Sequence, residues 1–286
     1  MTAAATPQAL TLDIGGFELA ALAWGEPDAQ PVLAAHGWLD NAASMSGLAP
    51  RLCAANELRI VSLDLPGHGL SQHKQGHYHF VDWVADVVAA ADALGWERFS
   101  LLGHSMGAGI STLVAGTVPK RIERCILLDG IGPMSDEPKL AAKRLARSLR
   151  VETRKRDSAK RLFESPEAAR ARLLQATKME PSSAARLIER GMVQLDEGWS
   201  WRADPKLRID SRARLSEEAV YAFLKEISCP VLMILAEQGW PRNFELMRKR
   251  TDAVADITVV EVPGRHHVHL DDPEQVAAKI EAWLQR

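Results

Sequence analysis

The sequence predicts an α/β fold: a mostly parallel β-sheet with helices on both faces, interrupted by one helical insert. Two observations predict it. Over residues 1–133, and again over 227–286, short apolar runs bounded by turn residues alternate with stretches of helical periodicity. Strands that alternate with helices need crossover connections, which pair neighbouring strands in parallel and cover both faces of the sheet. Between these segments, residues 134–226 lose the strand signal and carry 21 basic against 15 acidic residues, leaving 14 against 22 in the rest of the chain.

In chain order, runs 10–14 and 17–24 flank Gly15-Gly16, a hairpin signal. Runs 32–35, 59–63, 99–103 and 124–128 are short, apolar and strand-like; 44–55, 79–94 and 106–118 carry apolar positions at helical spacing. In the insert, 139–160, 166–178 and 182–193 read as amphipathic helices, two of them with start signals at Ser165-Pro166 and Pro181-Ser182. Strand runs return at 231–236 and 257–262, and a helix over 273–285 closes the chain.

Composition excludes several classes. Lys plus Arg (35) and Asp plus Glu (37) nearly cancel, so the chain lacks the basic footprint that tracks a phosphate backbone, and nucleic acid is not an expected partner. With 47 % hydrophobic and 25 % charged residues, a sizeable core is expected and disorder is not. No apolar run is long enough to span a bilayer, and Met1–Gln8 has neither the basic nor the apolar region of a signal peptide. The three cysteines, Cys53, Cys125 and Cys229, show no CxxC spacing, which points to a reducing, cytoplasmic setting with neither disulfides nor a metal site.

The chemical signal is Gly103-His104-Ser105-Met106-Gly107, a Gly-x-Ser-x-Gly string between a strand run and a helical run. That setting suits a nucleophile elbow, in which a sharp turn lifts a serine hydroxyl above the sheet edge at a helix N-terminus. Here the sequence resembles the α/β-hydrolase superfamily. The same pattern recurs in Ala35-His36-Gly37-Trp38 after the third strand, 64–71 after the fourth and Pro263-Gly264-Arg265-His266 after the last. More narrowly, 36–42 and 236–240 are similar to the serine hydrolase-like subgroup. The resemblance implies an eight-stranded sheet with the insert as a cap after the sixth strand. It also implies a hydrolase without cofactor, whose partner is a small-molecule ester.

By that resemblance Ser105 is the nucleophile, the amides of Trp38 and Met106 form the oxyanion hole, and His266 is the base, with His267 and His269 as alternatives in the same loop. The commonest family pattern sets its acid in the loop after the seventh strand, where this chain reads Ala236-Glu237-Gln238-Gly239. Some members of the superfamily carry their acid after the sixth strand instead, so the resemblance implies Asp129, which ends that strand here, as the expected acid and Glu237 as the alternative. His36, Asp40, Asn41 and Asp64 read as turn and cap residues, and His269 is expected to pack beside Asp271 and Asp272. Trp240, Trp201 and Trp199 are candidates to line a substrate pocket, against plain packing between cap and core. The basic run 139–161 is expected to be a solvated face. The rival to an esterase is a catalytically weak ligand-binding protein of the same fold. Perhydrolases, C–C bond hydrolases and lactonases use the same serine.

Overall fold

A computed structural model describes residues 6–156, 162–239 and 244–286. Among them an eight-stranded sheet is built from β1 (Gln8–Asp13), β2 (Glu18–Trp24), β3 (Gln30–Ala35), β4 (Leu58–Leu63), β5 (Phe99–His104), β6 (Ile122–Leu128), β9 (Val231–Gln238) and β10 (Ile257–Arg265). The strand order is β1-β2-β4-β3-β5-β6-β9-β10. Pairing is antiparallel for β1–β2 and β2–β4 and parallel for the rest. The sequence-predicted α/β sheet is thus observed, with its one hairpin at Gly15-Gly16. Both glycines adopt left-handed backbone (φ +84° and +83°), and Ile14 N–H donates to the Phe17 carbonyl across the turn at 2.9 Å.

Side chains alternate across the central strands and so feed two cores. Leu33, Val61, Leu101, Leu127 and Met233 point to one face, where α2 (Phe80–Ala93), α3 (Met106–Thr117) and α7 (Glu217–Glu226) pack. Ala34, Ile60, Leu102, Ile126 and Leu232 point to the other, against α1 (Ala49–Ala55) and α10 (Pro273–Leu284). Strands buried on both faces read as continuous apolar runs, as 99–103 and 124–128 do.

Between β6 and β9 run α4 (Ala141–Arg156), α5 (Pro166–Thr177), α6 (Pro181–Gly191) and the hairpin β7 (Met192–Leu195) with β8 (Gly198–Trp201), followed by α7; α8 (Phe244–Asp252) and α9 (Val268–Asp271) complete the order. The hairpin departs from the all-helical expectation for the insert. Helix 182–193 ends early, at Gly191, because the alternating Met192-Val193-Gln194-Leu195 and Trp199-Ser200-Trp201 pair across Asp196-Glu197. Four-residue strands are too short for periodicity to separate them from a helix end. Exposed Lys143, Arg147, Arg150 and Arg154 on α4 form a solvated face; residues 157–161 of the basic run lie outside the described residues.

Two buried histidines join the loops at the sheet edge. His36 Nδ1 donates to the Gly37 carbonyl and its Nε2 accepts the Leu65 amide; His68 Nδ1 donates to the Pro66 carbonyl, and the two rings meet edge to face at 4.9 Å. Burial holds both below the ordinary imidazole range, His68 at about 3, where the neighbouring His36 adds to the effect. An unfolded chain protonates them near pH 6.5, so below that pH it binds protons that the folded chain does not, and stability falls by up to about 1.4 kcal/mol per pH unit for each. Urea unfolding should therefore show stability decreasing from pH 7 to pH 5, with a shallower decrease in His68→Asn; an identical slope in the variant contradicts this assignment.

Candidate active site

The carboxyl ends of parallel strands are where α/β sheets present ligand-binding loops. Ser105 follows β5 with φ 53° and ψ −110°, a left-handed backbone costly for a residue with a side chain. The flanking glycines make this turn possible. A Cβ at Gly103 would lie 2.4 Å from the Gly107 carbonyl oxygen, and one at Gly107 would lie 2.0 Å from that of Ala35. The Ser105 amide donates to the Leu128 carbonyl at 2.9 Å, fastening the turn to β6.

Asp129 continues β6, also with positive φ (50°), and its amide donates to the Ile234 carbonyl at 2.8 Å. Its carboxylate accepts the Ala236 amide at 3.2 Å through Oδ1 and meets His266 Nδ1 at 2.5 Å through Oδ2. His266 Nε2 stands 2.8 Å from Ser105 Oγ. With Nδ1 donating to a carboxylate, Nε2 is the nitrogen left to accept the hydroxyl proton. Gly239 leaves room for this carboxylate: a Cβ there would come within 2.3 Å of the Asp129 carboxylate. Glu237 lies exposed on β9.

The amides of Trp38 and Met106 meet no acceptor among the described residues. Met106 begins α3, so its N–H lies at the positive end of the helix beside Ser105. The Trp38 indole donates to the Leu207 carbonyl at 3.2 Å, and the Arg208 guanidinium stands 5.9 Å from its ring centre. Trp201 packs against Phe163 at 6.3 Å and belongs, with Trp199, to an apolar cluster within the insert around Ile188 and Met192. Trp240 lies outside the described residues.

Sequence reasoning missed two polar groupings. The first is a clamp between insert and core. Asp64, fully buried, accepts the Ala42 and Leu70 amides at 2.7 Å each, and Arg190 of α6 donates to its oxygens from Nε at 2.9 and 3.1 Å and Nη2 at 2.8 Å. The second lies behind His266. Asn41 caps the turn Ala42–Met45 as expected, but the Asp40 carboxylate instead faces His104 and His267 and accepts the Ser44 hydroxyl at 3.3 Å. His269 is fully buried and pairs with Ser44 at 2.9 Å rather than with Asp271 or Asp272. Burial pushes the His104 imidazole down to about 4. Burial opposes charge on Asp40 and His267 too, but their mutual attraction outweighs it, holding the carboxyl well below its usual range and the imidazole above its own.

The model of the alpha/beta hydrolase family matches residues 32–279. A serine hydrolase-like protein of Danio rerio is 32 % identical over 94 % of this chain and 85 % of its own length. Serine hydrolase-like protein 2 of Homo sapiens is 30 % identical over 96 % of this chain and 93 % of its own. Among solved structures, a hypothetical protein of Pseudomonas aeruginosa PAO1 is 39 % identical over 98 % of this chain and 99 % of that one, with a TM-score of 0.91.

Removing one partner of a buried ion pair leaves the other charge uncompensated, at a cost of about 3–5 kcal/mol. Asp64 keeps two amide donors in Arg190→Met, which places the expected loss near the lower end, about 3 kcal/mol by urea unfolding. A variant as stable as the parent contradicts the clamp.

Proposed function

The chain belongs to the alpha/beta hydrolase family and is similar to its serine hydrolase-like members, and from that premise we propose that it cleaves carboxylic esters through an acyl-enzyme on Ser105. The observation that supports this reading is the continuous hydrogen-bonded chain from Asp129 through His266 to Ser105, with lengths of 2.5 and 2.8 Å. A serine hydroxyl is a weak nucleophile until a base takes its proton.

In this mechanism Ser105 Oγ attacks the ester carbonyl carbon while His266 Nε2 takes the hydroxyl proton. The carbonyl π pair moves to oxygen, and the amides of Trp38 and Met106 donate to the resulting oxyanion; such donors each contribute about 10²–10³ in rate. Asp129 holds Nδ1–H in place and stabilises the imidazolium. Collapse of the intermediate breaks the ester C–O bond, and His266 returns the proton to the departing alkoxide. Water, deprotonated by the same nitrogen, then attacks the acyl-enzyme carbonyl; collapse breaks the acyl C–Oγ bond, His266 returns the proton to Ser105 Oγ, and the acid leaves. Proton transfer and acyl transfer are complete with these groups, so the reaction calls for no cofactor. The insert 134–226 is, in this reading, the cap over the serine, and a soluble cytoplasmic esterase of small molecules is the corresponding setting.

A panel of p-nitrophenyl esters of increasing acyl length tests the activity. Turnover is expected in the parent and absent in Ser105→Ala, and a fluorophosphonate should label Ser105 at neutral pH; a folded protein that neither turns over nor labels contradicts the proposal. The acid is tested separately. Asp129→Asn should lose on the order of 10³–10⁴ in kcat with the fold intact by circular dichroism, whereas Glu237→Gln should lose less than about tenfold. The reverse ranking moves the acid to Glu237.

A further inference from the structure

Behind Ser105 and His266 lies a set of buried groups that acyl transfer does not use. Asp40 Oδ2 stands 3.6 Å from His104 Nδ1 and 3.5 Å from His267 Nε2, and these three atoms all lie within 4.8 Å of one another. They arrive from three separate strand ends, in the loop after β3, at the last residue of β5 and in the loop after β10. His104 Nε2 is 2.8 Å from the His266 carbonyl, which only accepts, so Nε2 carries the hydrogen and Nδ1 of the neutral ring keeps a lone pair. That nitrogen is buried, has no hydrogen-bond partner among the described residues, and faces a carboxylate.

The His267 proton offsets the Asp40 charge but leaves His104 Nδ1 and Asp40 Oδ2 as two electron-pair donors facing each other in a dry interior, and a metal ion in place of that proton would draw on all three donors. The backbone at Gly37 borders the same space: a Cβ there would fall 2.9 Å from His104 Nδ1 and 3.1 Å from Asp40 Oδ2, so a side chain at position 37 would fill it. Two imidazole nitrogens and one carboxylate oxygen are the donors of three-ligand zinc sites. Atoms about 2.0–2.2 Å from a tetrahedral zinc ion stand roughly 3.3–3.6 Å apart. Both Asp40–His separations have that spacing.

We propose that Asp40, His104 and His267 form a binding site for a divalent transition-metal ion of the zinc type, and that its occupation inhibits hydrolysis. The site departs from the metal-free expectation drawn from cysteine spacing, because its ligands are far apart in sequence. The inhibition rests on the esterase reading above. His104 precedes Ser105 and His267 follows His266, so an ion that gathers these imidazoles around itself acts on the backbone at both ends of the 2.8 Å Ser105–His266 contact.

The test titrates chelator-treated, dialysed protein with Co²⁺ and then Zn²⁺. One Co²⁺ per chain is expected to give the visible bands of a nitrogen-bound ion of low coordination number, displaced by Zn²⁺. Asp40→Asn and His267→Gln should each weaken binding by at least about tenfold. His73→Asn, which alters an exposed histidine, should leave the bands unchanged. Zn²⁺ should slow fluorophosphonate labelling of Ser105 on the order of 10²-fold, the cost of about 1 Å of misplacement, and EDTA should restore it. Absence of bands in the parent protein, or bands at full affinity in both ligand variants, overturns the site. Bands with undiminished labelling overturn the inhibition. The titration of the parent protein decides the site even if a variant fails to fold. If metal-free protein is not labelled, the hydrolase reading fails while the Co²⁺ titration still decides the site.

Discussion

A strand that turns directly into a helix, with a serine held in left-handed backbone at the join, sets the geometry on which the rest of the site depends. Such a conformation costs roughly 1–3 kcal/mol and persists only where the surroundings fix it. Here they do so by close approach. The backbone of Gly107 lies against the Ala35 carbonyl at the end of β3, Gly103 lies under Gly107, and the Ser105 amide is bonded to Leu128 of β6. Three neighbouring strands therefore hold one residue, and the same contacts present the Met106 amide beside its hydroxyl.

Once that turn is fixed, the neighbouring strand ends supply the other groups. Asp129 follows β6 and is anchored twice to β9, through the Ile234 carbonyl and the Ala236 amide. β10 runs on to Arg265, with a register shift after Val262, and delivers His266 next. Below this row the loops are tied by buried polar groups. Asp64 binds two amides and Arg190, and His36 bridges the β3 and β4 loops. A buried carboxylate is tolerable only when such partners are present, so these ties both stabilise the sheet edge and hold the insert on it.

Much of this is legible in the residues because it depends on local pattern. Gly15-Gly16 specifies a turn needing positive φ at two positions, the alternation of runs specifies the sheet, and a Gly-x-Ser-x-Gly string between a strand run and a helical run specifies the elbow. Ser105, His266 and Asp129 can be read as strand-end residues, and the fold brings them into one hydrogen-bonded chain. Choosing between Asp129 and Glu237 is harder, because sequence does not show which carboxylate points at the histidine; the 2.5 Å contact from His266 Nδ1 to Asp129 Oδ2 does. The hairpin β7–β8 is hidden by its brevity. The Asp64–Arg190 clamp and the Asp40–His104–His267 cluster join residues from distant segments, and no periodicity or spacing encodes such pairings.

In the proposed reaction Ser105 itself carries the acyl group. Rapid acid quenching during turnover of a slowly deacylated ester, followed by peptide mass spectrometry, looks for that group on the protein. An acyl adduct on the peptide containing Ser105 is expected to form before the steady state and to disappear as substrate is exhausted. Continued turnover with no adduct on that peptide would contradict it, because water would then be attacking the ester without a covalent intermediate.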